Sequence, residues 1–328
     1  MADLKTTYMG IELANPVVVG ACSLSKNVDS IRKLEDAGAG ALVIKSLFEE
    51  QIQIERRNLD DELGQHDDMF AEAVSLFPAV EHGGPKEFIF WLKEARKAVK
   101  MPLIASLNAV ETDTWVEWAK QLADTGVDGL ELNFYSPPLD IAATAADIEE
   151  AELEVLSSVV EAVKLPVSVK LHPHYTSLMN VASRFTDAGA KALVLFNRLF
   201  EPDIDVEAEA QRIAPGLSRP GDTLAAVRWI ALLAGRVETG LVGSGGIGSG
   251  RDAAKMILAG ASAVQVVSTL YRHGMDGLGG IIGELGAWMD ERGHADIASF
   301  RGKLAQERLS DPWHYTRGQY IKGILGFD

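Results

Sequence analysis

Cysteine is almost absent from this chain, which has only Cys22 among 328 residues. A single cysteine excludes an internal disulfide and any iron–sulfur cluster held by cysteines of this chain alone. We recognise no N-terminal signal peptide and no apolar run of the roughly 20 residues that a membrane-spanning helix needs. Basic residues are also few, because 31 Lys and Arg face 47 Asp and Glu and leave a net charge of −16. We therefore expect a cytoplasmic protein that binds neither nucleic acid nor an anionic membrane.

Hydrophobic residues, by contrast, make up 47% of the chain, enough to fill a large core. Eight apolar, β-branched runs alternate with helical patterns, which predicts parallel strands joined by helices. Four of the helical patterns end in a glycine between small residues just before a strand, and this repetition favours one barrel over two domains. We predict a single (β/α)8 TIM barrel of the α/β class. The predicted strands are 16–22, 41–45, 103–108, 130–135, 167–171, 192–197, 240–243 and 264–267.

Several segments interrupt this alternation. Residues 6–13 predict a short hairpin over the bottom of the barrel, and residues 199–220 form an insertion after the sixth strand. Residues 48–85 are long and acidic, as a lid or binding loop at the top would be. We divide the chain into a barrel, 1–304, and a C-terminal extension, 305–328, that packs on the barrel or on a partner subunit. We expect a homodimer.

A glycine-rich segment follows the seventh predicted strand and precedes a helix. It contains Gly243, Gly245, Gly246, Gly248 and Gly250, and the eighth strand ends in Val267 and Ser268. Glycines let the backbone approach a ligand, and N–H groups beside a helix N-terminus bind anions. Neighbouring strands with such ends form the phosphate site common on the last two strands of these barrels. Alternatively, the glycines only make a tight turn, but the second strand at the expected offset favours a phosphate.

Polar residues end five of the other predicted strands, where the chemistry of these barrels takes place. Lysines there can stabilise negative charge on a planar heterocycle, and asparagines offer both a donor and an acceptor to its edge. No cluster of carboxylates or cysteines suggests a metal, and His172 and His174 lack a third ligand at a suitable spacing. The set suits a flavin, although each amide could also simply cap its own strand. Its members are Lys45 and Ser46, Asn108, Asn133, Lys170 and Asn197.

The order and spacing of these motifs resemble the dihydroorotate dehydrogenase family, most closely its soluble class-1 members. The resemblance covers residues 4–304 and includes 131–137 (ELNFYSP), 169–173 (VKLHP), the glycine-rich segment and 299–304 (SFRGKL). It implies FMN as cofactor and the oxidation of a dihydropyrimidine-like CH–CH bond, as in pyrimidine biosynthesis. The electron acceptor stays open, and any iron–sulfur centre would have to lie on a partner.

The resemblance also implies roles for individual residues. Ser136 stands where the family has its catalytic base, which takes a proton from carbon while a hydride goes to flavin N5. Serine is a poor base without a neighbour or a water relay, and Ser136 with Pro137 can alternatively be a plain turn. Substrate contacts fall to Lys45, Asn133 and Asn197. Flavin contacts fall to Gly20, Ala21, Lys45, Ser46, Asn108, Asn133, Lys170, Asn197, Gly245, Gly246, Val267 and Ser268.

The substrate side of the family pattern is incomplete in this chain. Pro138 stands where the family has an asparagine after its base motif, and the lid region carries Asp67 and Asp68 instead of an asparagine segment. Arg198 could bind a carboxylate or only cover the surface. Two further hypotheses therefore stay open. One is a non-catalytic or electron-transfer flavin subunit of a larger oxidoreductase, and the other is a barrel that binds a phosphorylated sugar or intermediate.

Overall fold

Eight parallel strands close into a barrel in the computed structural model, which describes residues 2–49, 52, 85–134, 137–198, 201–213 and 216–326. The barrel strands follow one another around the ring in chain order without a crossover, and the last strand pairs with the first. This confirms the predicted (β/α)8 barrel. The strands are β3 (Val17–Val19), β4 (Ala41–Phe48), β5 (Leu103–Asn108), β6 (Gly129–Asn133), β7 (Val167–Leu171), β8 (Ala192–Leu195), β11 (Gly240–Ser244) and β12 (Ala263–Val266).

Helices surround the barrel and cover the outward side chains of its strands. A large apolar cluster fills the space between the two layers, as expected for parallel strands that are buried on both faces. No helix in the described part of the chain combines the length and apolar character needed to cross a membrane. The helices are Val28–Asp36, Pro85–Ala98, Thr112–Ala123, Ala145–Ala162, Leu178–Asp187, Thr223–Leu233, Gly250–Ala259, Ser268–His273, Gly277–Arg292 and Gly318–Leu325.

The predicted N-terminal hairpin is present as β1 (Thr6–Tyr8) and β2 (Ile11–Leu13). It lies at the amino ends of the barrel strands, where Tyr8, Met9 and Leu13 are buried in a second apolar cluster with inward side chains of the barrel. The hairpin thus closes the bottom of the barrel with side chains.

Strand β4 runs three residues further than the sequence predicted, to Phe48. Its pairing with β5 shifts register between Ile44 and Leu47, so Lys45 and Ser46 occupy an irregular step in the ladder. Such irregularities redirect side chains and are common beside active sites. Strand β8 is shorter than predicted and ends at Leu195, so Asn197 follows the strand and does not belong to it.

The insertions predicted at the top of the barrel are only partly described. Residues 199–220 contain an antiparallel hairpin, β9 (Pro202–Asp205) and β10 (Ala210–Ile213). Most of the predicted loop 48–85 falls outside the described residues. At its start, the buried Glu49 carboxylate accepts hydrogen bonds from the backbone N–H groups of Val110 and Glu111, at 2.5 and 2.9 Å. Glu49 thereby connects the beginning of this segment to the start of the helix Thr112–Ala123.

The described part of the C-terminal extension contacts the barrel's outer layer. The Tyr315 hydroxyl donates to the carbonyl of Leu304 at 3.0 Å. Arg228, on the helix Thr223–Leu233, donates to Gln319 of the extension. The apolar side chains of the last helix, including Tyr320 and Leu325, remain exposed.

Candidate active site

Three asparagines, at the ends of β5 and β6 and just after β8, form one connected group at the mouth of the barrel. The Asn108 side chain donates to the backbone carbonyl of Asn133 at 2.8 Å. The Asn197 side chain donates to the Asn133 side-chain oxygen at 2.9 Å, and the Asn197 backbone N–H donates to Leu171 at 2.7 Å. The structure therefore brings together three of the amides predicted from the sequence. Their mutual bonds orient them, so they form a preorganised polar surface rather than separate strand caps.

The second barrel strand, β4, carries one buried and one exposed residue of the predicted set, Ser46 and Lys45. Ser46 is buried, and its hydroxyl lies 2.7 Å from that of Ser106 on β5. Lys45 follows Ile44 at the irregular step, where its backbone N–H donates to the Ser25 hydroxyl at 2.9 Å. The Lys45 side chain is exposed. It is therefore free to turn toward an anionic group above the mouth.

Lys170 is held inside the barrel by polar partners that the sequence did not single out. Its ammonium lies 3.0 Å from the side-chain oxygen of Gln265 and 3.9 Å from Glu131 Oε1. The Gln265 amide donates to Glu131 Oε2 at 2.5 Å, and the Tyr8 hydroxyl lies 3.0 Å from the same oxygen. Glu131 has no exposed surface at all. The sequence feature that could have revealed these partners is a glutamate and a glutamine within otherwise apolar strands, at positions that face the barrel interior.

The two loops predicted to hold a phosphate lie side by side. The Thr269 hydroxyl donates to the Ile247 carbonyl at 2.6 Å and ties the start of one loop's helix to the other loop. Gly245 and Gly246 have φ of +91° and +74°. A Cβ on Gly246 would lie 2.4 Å from the Arg219 carbonyl oxygen, so only glycine fits there, whereas the space beside Gly245 is open.

Backbone donors in these two loops are available for an anion. Within the described residues, no acceptor is found for the backbone N–H groups of Gly245, Gly246, Val267 or Ser268. Such groups normally need a partner when they are withdrawn from water. The donor set therefore fits a phosphate group, which accepts several N–H bonds at once.

The end of β3 lies against the same site. Gly20 is buried, and a Cβ there would lie 2.9 Å from a methyl of Val267 and 3.2 Å from the Gln265 side-chain oxygen. Ala21 is partly buried against the barrel interior. The first strand thus approaches the phosphate strand closely enough for a flat ligand to extend from the phosphate loops over the mouth.

Comparison with known proteins agrees with this geometry. The family described as dihydroorotate dehydrogenase matches residues 84–289. The catalytic subunit of dihydroorotate dehydrogenase B (NAD(+)) from Thermoplasma volcanium is 30% identical over 315 residues, covering 92% of this chain and 98% of that protein. The chain belongs to the dihydroorotate dehydrogenase family. It is thus a flavin-dependent oxidoreductase that acts on a CH–CH bond, as the resemblance in the sequence implied.

Other relatives within the dihydroorotate dehydrogenase family carry different names. The Methanocaldococcus jannaschii protein, also named a catalytic subunit of dihydroorotate dehydrogenase B (NAD(+)), is 28% identical over 83% of this chain and 89% of its own length. A Solibacter usitatus protein named putative dihydroorotate dehydrogenase A (fumarate) is 29% identical over 92% of this chain and 98% of its own length.

Two predicted features of the family pattern fall outside the described residues. These are Ser136, at the position of the family's base, and the lid segment with Asp67 and Asp68. Downstream of Ser136 the chain is exposed from residue 137 to the Thr144 cap of the helix Ala145–Ala162. Pro138 therefore lies in an exposed segment and offers neither an N–H nor a side-chain amide.

Arg198, which had two possible roles, is engaged with a neighbouring carboxylate. Its guanidinium lies 2.5 Å from Asp222 Oδ2, and both side chains are about 40% exposed. Partial burial raises the pKa of Asp222, but hydrogen bonds from Arg219 and Arg198 outweigh this and leave the pKa lowered. The structure thus favours a surface ion pair over a free cation that waits for a substrate carboxylate.

His172 lies in a cluster of titratable side chains where the loop after β7 meets the helix Ala145–Ala162. Its ring stacks on Tyr175 with centroids 3.8 Å apart, and Tyr175 donates to Glu152 at 2.7 Å. Burial raises the pKa of Glu152 to about 7, with a further rise from Glu149, and burial lowers the pKa of His172 to about 4. Although His172 and Glu152 are 3.9 Å apart, there is no pH at which both are mainly charged, so the contact is not an ion pair. Within the described residues no group of three potential ligands could hold a metal.

Proposed function

We propose that this chain binds FMN and uses it to oxidise a CH–CH bond of a dihydropyrimidine-like ring. The observation that carries the proposal is the pair of loops beside Lys170 and the connected asparagines. Four backbone N–H groups of these loops have no acceptor among the described residues. A single cup suits the one phosphate of FMN better than the pyrophosphate of a dinucleotide. The first strand also lacks the glycine fingerprint of a dinucleotide site.

Each group of residues has a distinct task in this proposal. The N–H groups of Gly245, Gly246, Val267 and Ser268 would hold the phosphate. Lys170 would place its positive charge beneath the ring, where negative charge develops on reduction. Asn133, Asn197 and the exposed Lys45 would orient the substrate, and Asn108 the ring edge. Bound FMN would supply the hydride acceptor.

Ser136 is the residue to which we assign proton removal from the substrate carbon, on the strength of its position in the family motif. A serine hydroxyl holds its proton tightly, so it needs a neighbouring base or a water chain to act. A correctly placed general base typically contributes 10²–10⁴-fold to the rate. We therefore expect Ser136→Ala to slow substrate-dependent flavin reduction about a hundredfold or more without loss of FMN.

The electron acceptor is proposed to be a partner subunit. Two of the relatives are named catalytic subunits, and this chain has too few cysteines to build an iron–sulfur centre alone. We also propose a homodimer in the cytoplasm, where a pyrimidine-type substrate would be available. Size measurement by light scattering, with and without co-purified proteins, tests the homodimer and the association with a partner subunit.

The decisive experiment starts with the visible spectrum of the purified protein. We expect a yellow protein that releases FMN and not FAD on denaturation. Anaerobic mixing with dihydroorotate, dihydrouracil and dihydrothymine should bleach the flavin with at least one of them, and slowly or not at all in Ser136→Ala. A protein that stays colourless after incubation with FMN would refute the proposal. A yellow protein that no ring reduces, but that a partner flavoprotein does, would be an electron-transfer subunit.

A further inference from the structure

A column of buried polar side chains runs inside the barrel from the bottom hairpin to Lys170. Tyr8 comes from the hairpin, Glu131 from β6 and Gln265 from β12, and Tyr8 and Glu131 have no exposed surface. The links are Tyr8 to Glu131 at 3.0 Å, Gln265 to Glu131 at 2.5 Å and Lys170 to Gln265 at 3.0 Å. The column therefore connects the closed end of the barrel to the open mouth.

The direction of each hydrogen bond follows from the chemistry of the groups. An ammonium can only donate and a carboxylate can only accept, so the Gln265 amide must present its oxygen to Lys170 and its NH₂ to Glu131. Burial, with the adjacent Glu131 carboxylate, raises the pKa of Tyr8 well above its ordinary value. The phenol therefore keeps its one hydrogen. Its oxygen lies 3.0 Å from both Glu131 Oε2 and the Ser168 hydroxyl, and since a carboxylate can only accept, the hydrogen goes to Glu131 while Ser168 can donate to the phenol.

Among the described residues, the two charges of the column, on Lys170 and Glu131, are paired with each other. Within the described residues, Lys170 is the one cation that forms an ion pair with Glu131. Glu131 Oε1, which faces Lys170 at 3.9 Å, has no hydrogen-bond partner among those residues. A buried carboxylate that lacks part of its hydrogen bonding attracts the nearest ammonium strongly. The Lys170 ammonium is thus attracted toward the bottom of the barrel by Glu131 and is held by its hydrogen bond to Gln265.

We propose that Tyr8, Glu131 and Gln265 are positioning residues for Lys170, so that the hairpin at the bottom of the barrel sets how the cofactor is bound at the top. The inference rests on the proposed function, because Lys170 is the residue that would meet the FMN ring. Tyr8 itself closes the opposite end of the barrel, and its influence on the cofactor would pass through the other members of the column. A hydrogen bond lost at Tyr8 would let Glu131 shift and pull the ammonium out of place.

The first test measures FMN affinity by fluorescence quenching in four proteins: wild type, Tyr8→Phe, Lys170→Met and the double variant. Tyr8→Phe keeps the ring and removes one hydroxyl, and we expect it to weaken FMN binding about three- to tenfold. In the Lys170→Met background the same change should have no effect. Tyr175→Phe is the matched control, because it removes a hydroxyl from another tyrosine–glutamate pair, which is partly buried and lies outside the barrel.

Two results of this first test would overturn the proposal. One is an equal effect of Tyr8→Phe with and without Lys170, which would indicate a general loss of packing. The other is an equal effect of Tyr175→Phe.

The second test needs no FMN and so separates this inference from the proposed function. Reductive methylation followed by mass spectrometry measures how fast the Lys170 amine reacts in the flavin-free protein. The Lys170 amine must reach solvent before it reacts, and its ion pair with Glu131 holds it inside the barrel. We expect Glu131→Gln to speed methylation of Lys170 several-fold. Tyr8→Phe should slow it several-fold, because a carboxylate with one hydrogen bond fewer holds the ammonium more tightly, while exposed lysines such as Lys97 react as in the wild type. Unchanged Lys170 reactivity in a folded Tyr8→Phe protein would refute the positioning role even if FMN binds.

Discussion

Replacing Lys170 by methionine should leave a stranded charge inside the barrel and destabilise the flavin-free protein. Glu131 is fully buried, and Lys170, 3.9 Å away, is its ion-pair partner. Coulomb's law at an effective dielectric constant of about 20 gives roughly 4 kcal/mol for that separation. Removing one member of a buried pair typically costs about 3–5 kcal/mol, which agrees.

Thermal unfolding of the flavin-free proteins is the assay, since bound FMN would itself shift the midpoint. For a chain of this length about 1 kcal/mol corresponds to roughly 1.5 °C, so we expect Lys170→Met to lower Tm by about 6 °C at pH 7. The double variant Lys170→Met/Glu131→Gln should regain most of that loss because the column then holds no charged side chain. A single variant as stable as wild type, or a double variant no better than the single, would contradict the reasoning.

Three further outcomes follow from the described geometry. Gly246→Ala should weaken FMN binding at least tenfold, because its Cβ would lie 2.4 Å from a carbonyl oxygen and clash with it. Gly283→Ala is the control, because Gly283 lies on an open helix face. It should leave FMN binding unchanged and add about 0.5–1 kcal/mol to the free energy of unfolding. Burial raises the pKa of Glu152 to about 7, so the folded protein loses stability as pH rises from 4.5 to 7, and Glu152→Gln should be about 3 kcal/mol more stable than wild type at pH 8 in urea unfolding. In the same variant the effect of His172 should become visible. Because burial lowers the pKa of His172 to about 4, the folded protein should lose stability as pH falls from 6.5 to 4. Dihydroorotate at micromolar concentration should reduce the flavin slowly. Arg198→Ala should not slow this reduction further, because the Arg198 side chain is already paired with Asp222. Rapid bleaching of the flavin would show that the departures from the family pattern are tolerated.

Much of the barrel could be predicted from the sequence because its signals are local. Buried parallel strands must be apolar on both faces, so each appears as a continuous β-branched run. Helix ends before strands require a residue with positive φ, which is why glycine stands at Gly38 and Gly189, with φ of +91° and +103°. The phosphate loops are likewise local, since Gly245 and Gly246 must turn sharply directly after a strand.

Other features were decided only by tertiary structure, because they depend on residues far apart in the chain. The register shift that displaces Lys45 arises from how β4 pairs with β5, and no local pattern announces it. Arg198 could point in or out until the fold brought Asp222 to it. Tyr8, Glu131, Lys170 and Gln265 are separated by up to 257 positions, from 8 to 265, and only closure of the barrel turns them into one column. The sequence by itself determined the kind of barrel and the kind of ligand, because both rest on short-range patterns. The tertiary structure decided which charges meet, because a buried charge is matched by whatever the fold places beside it.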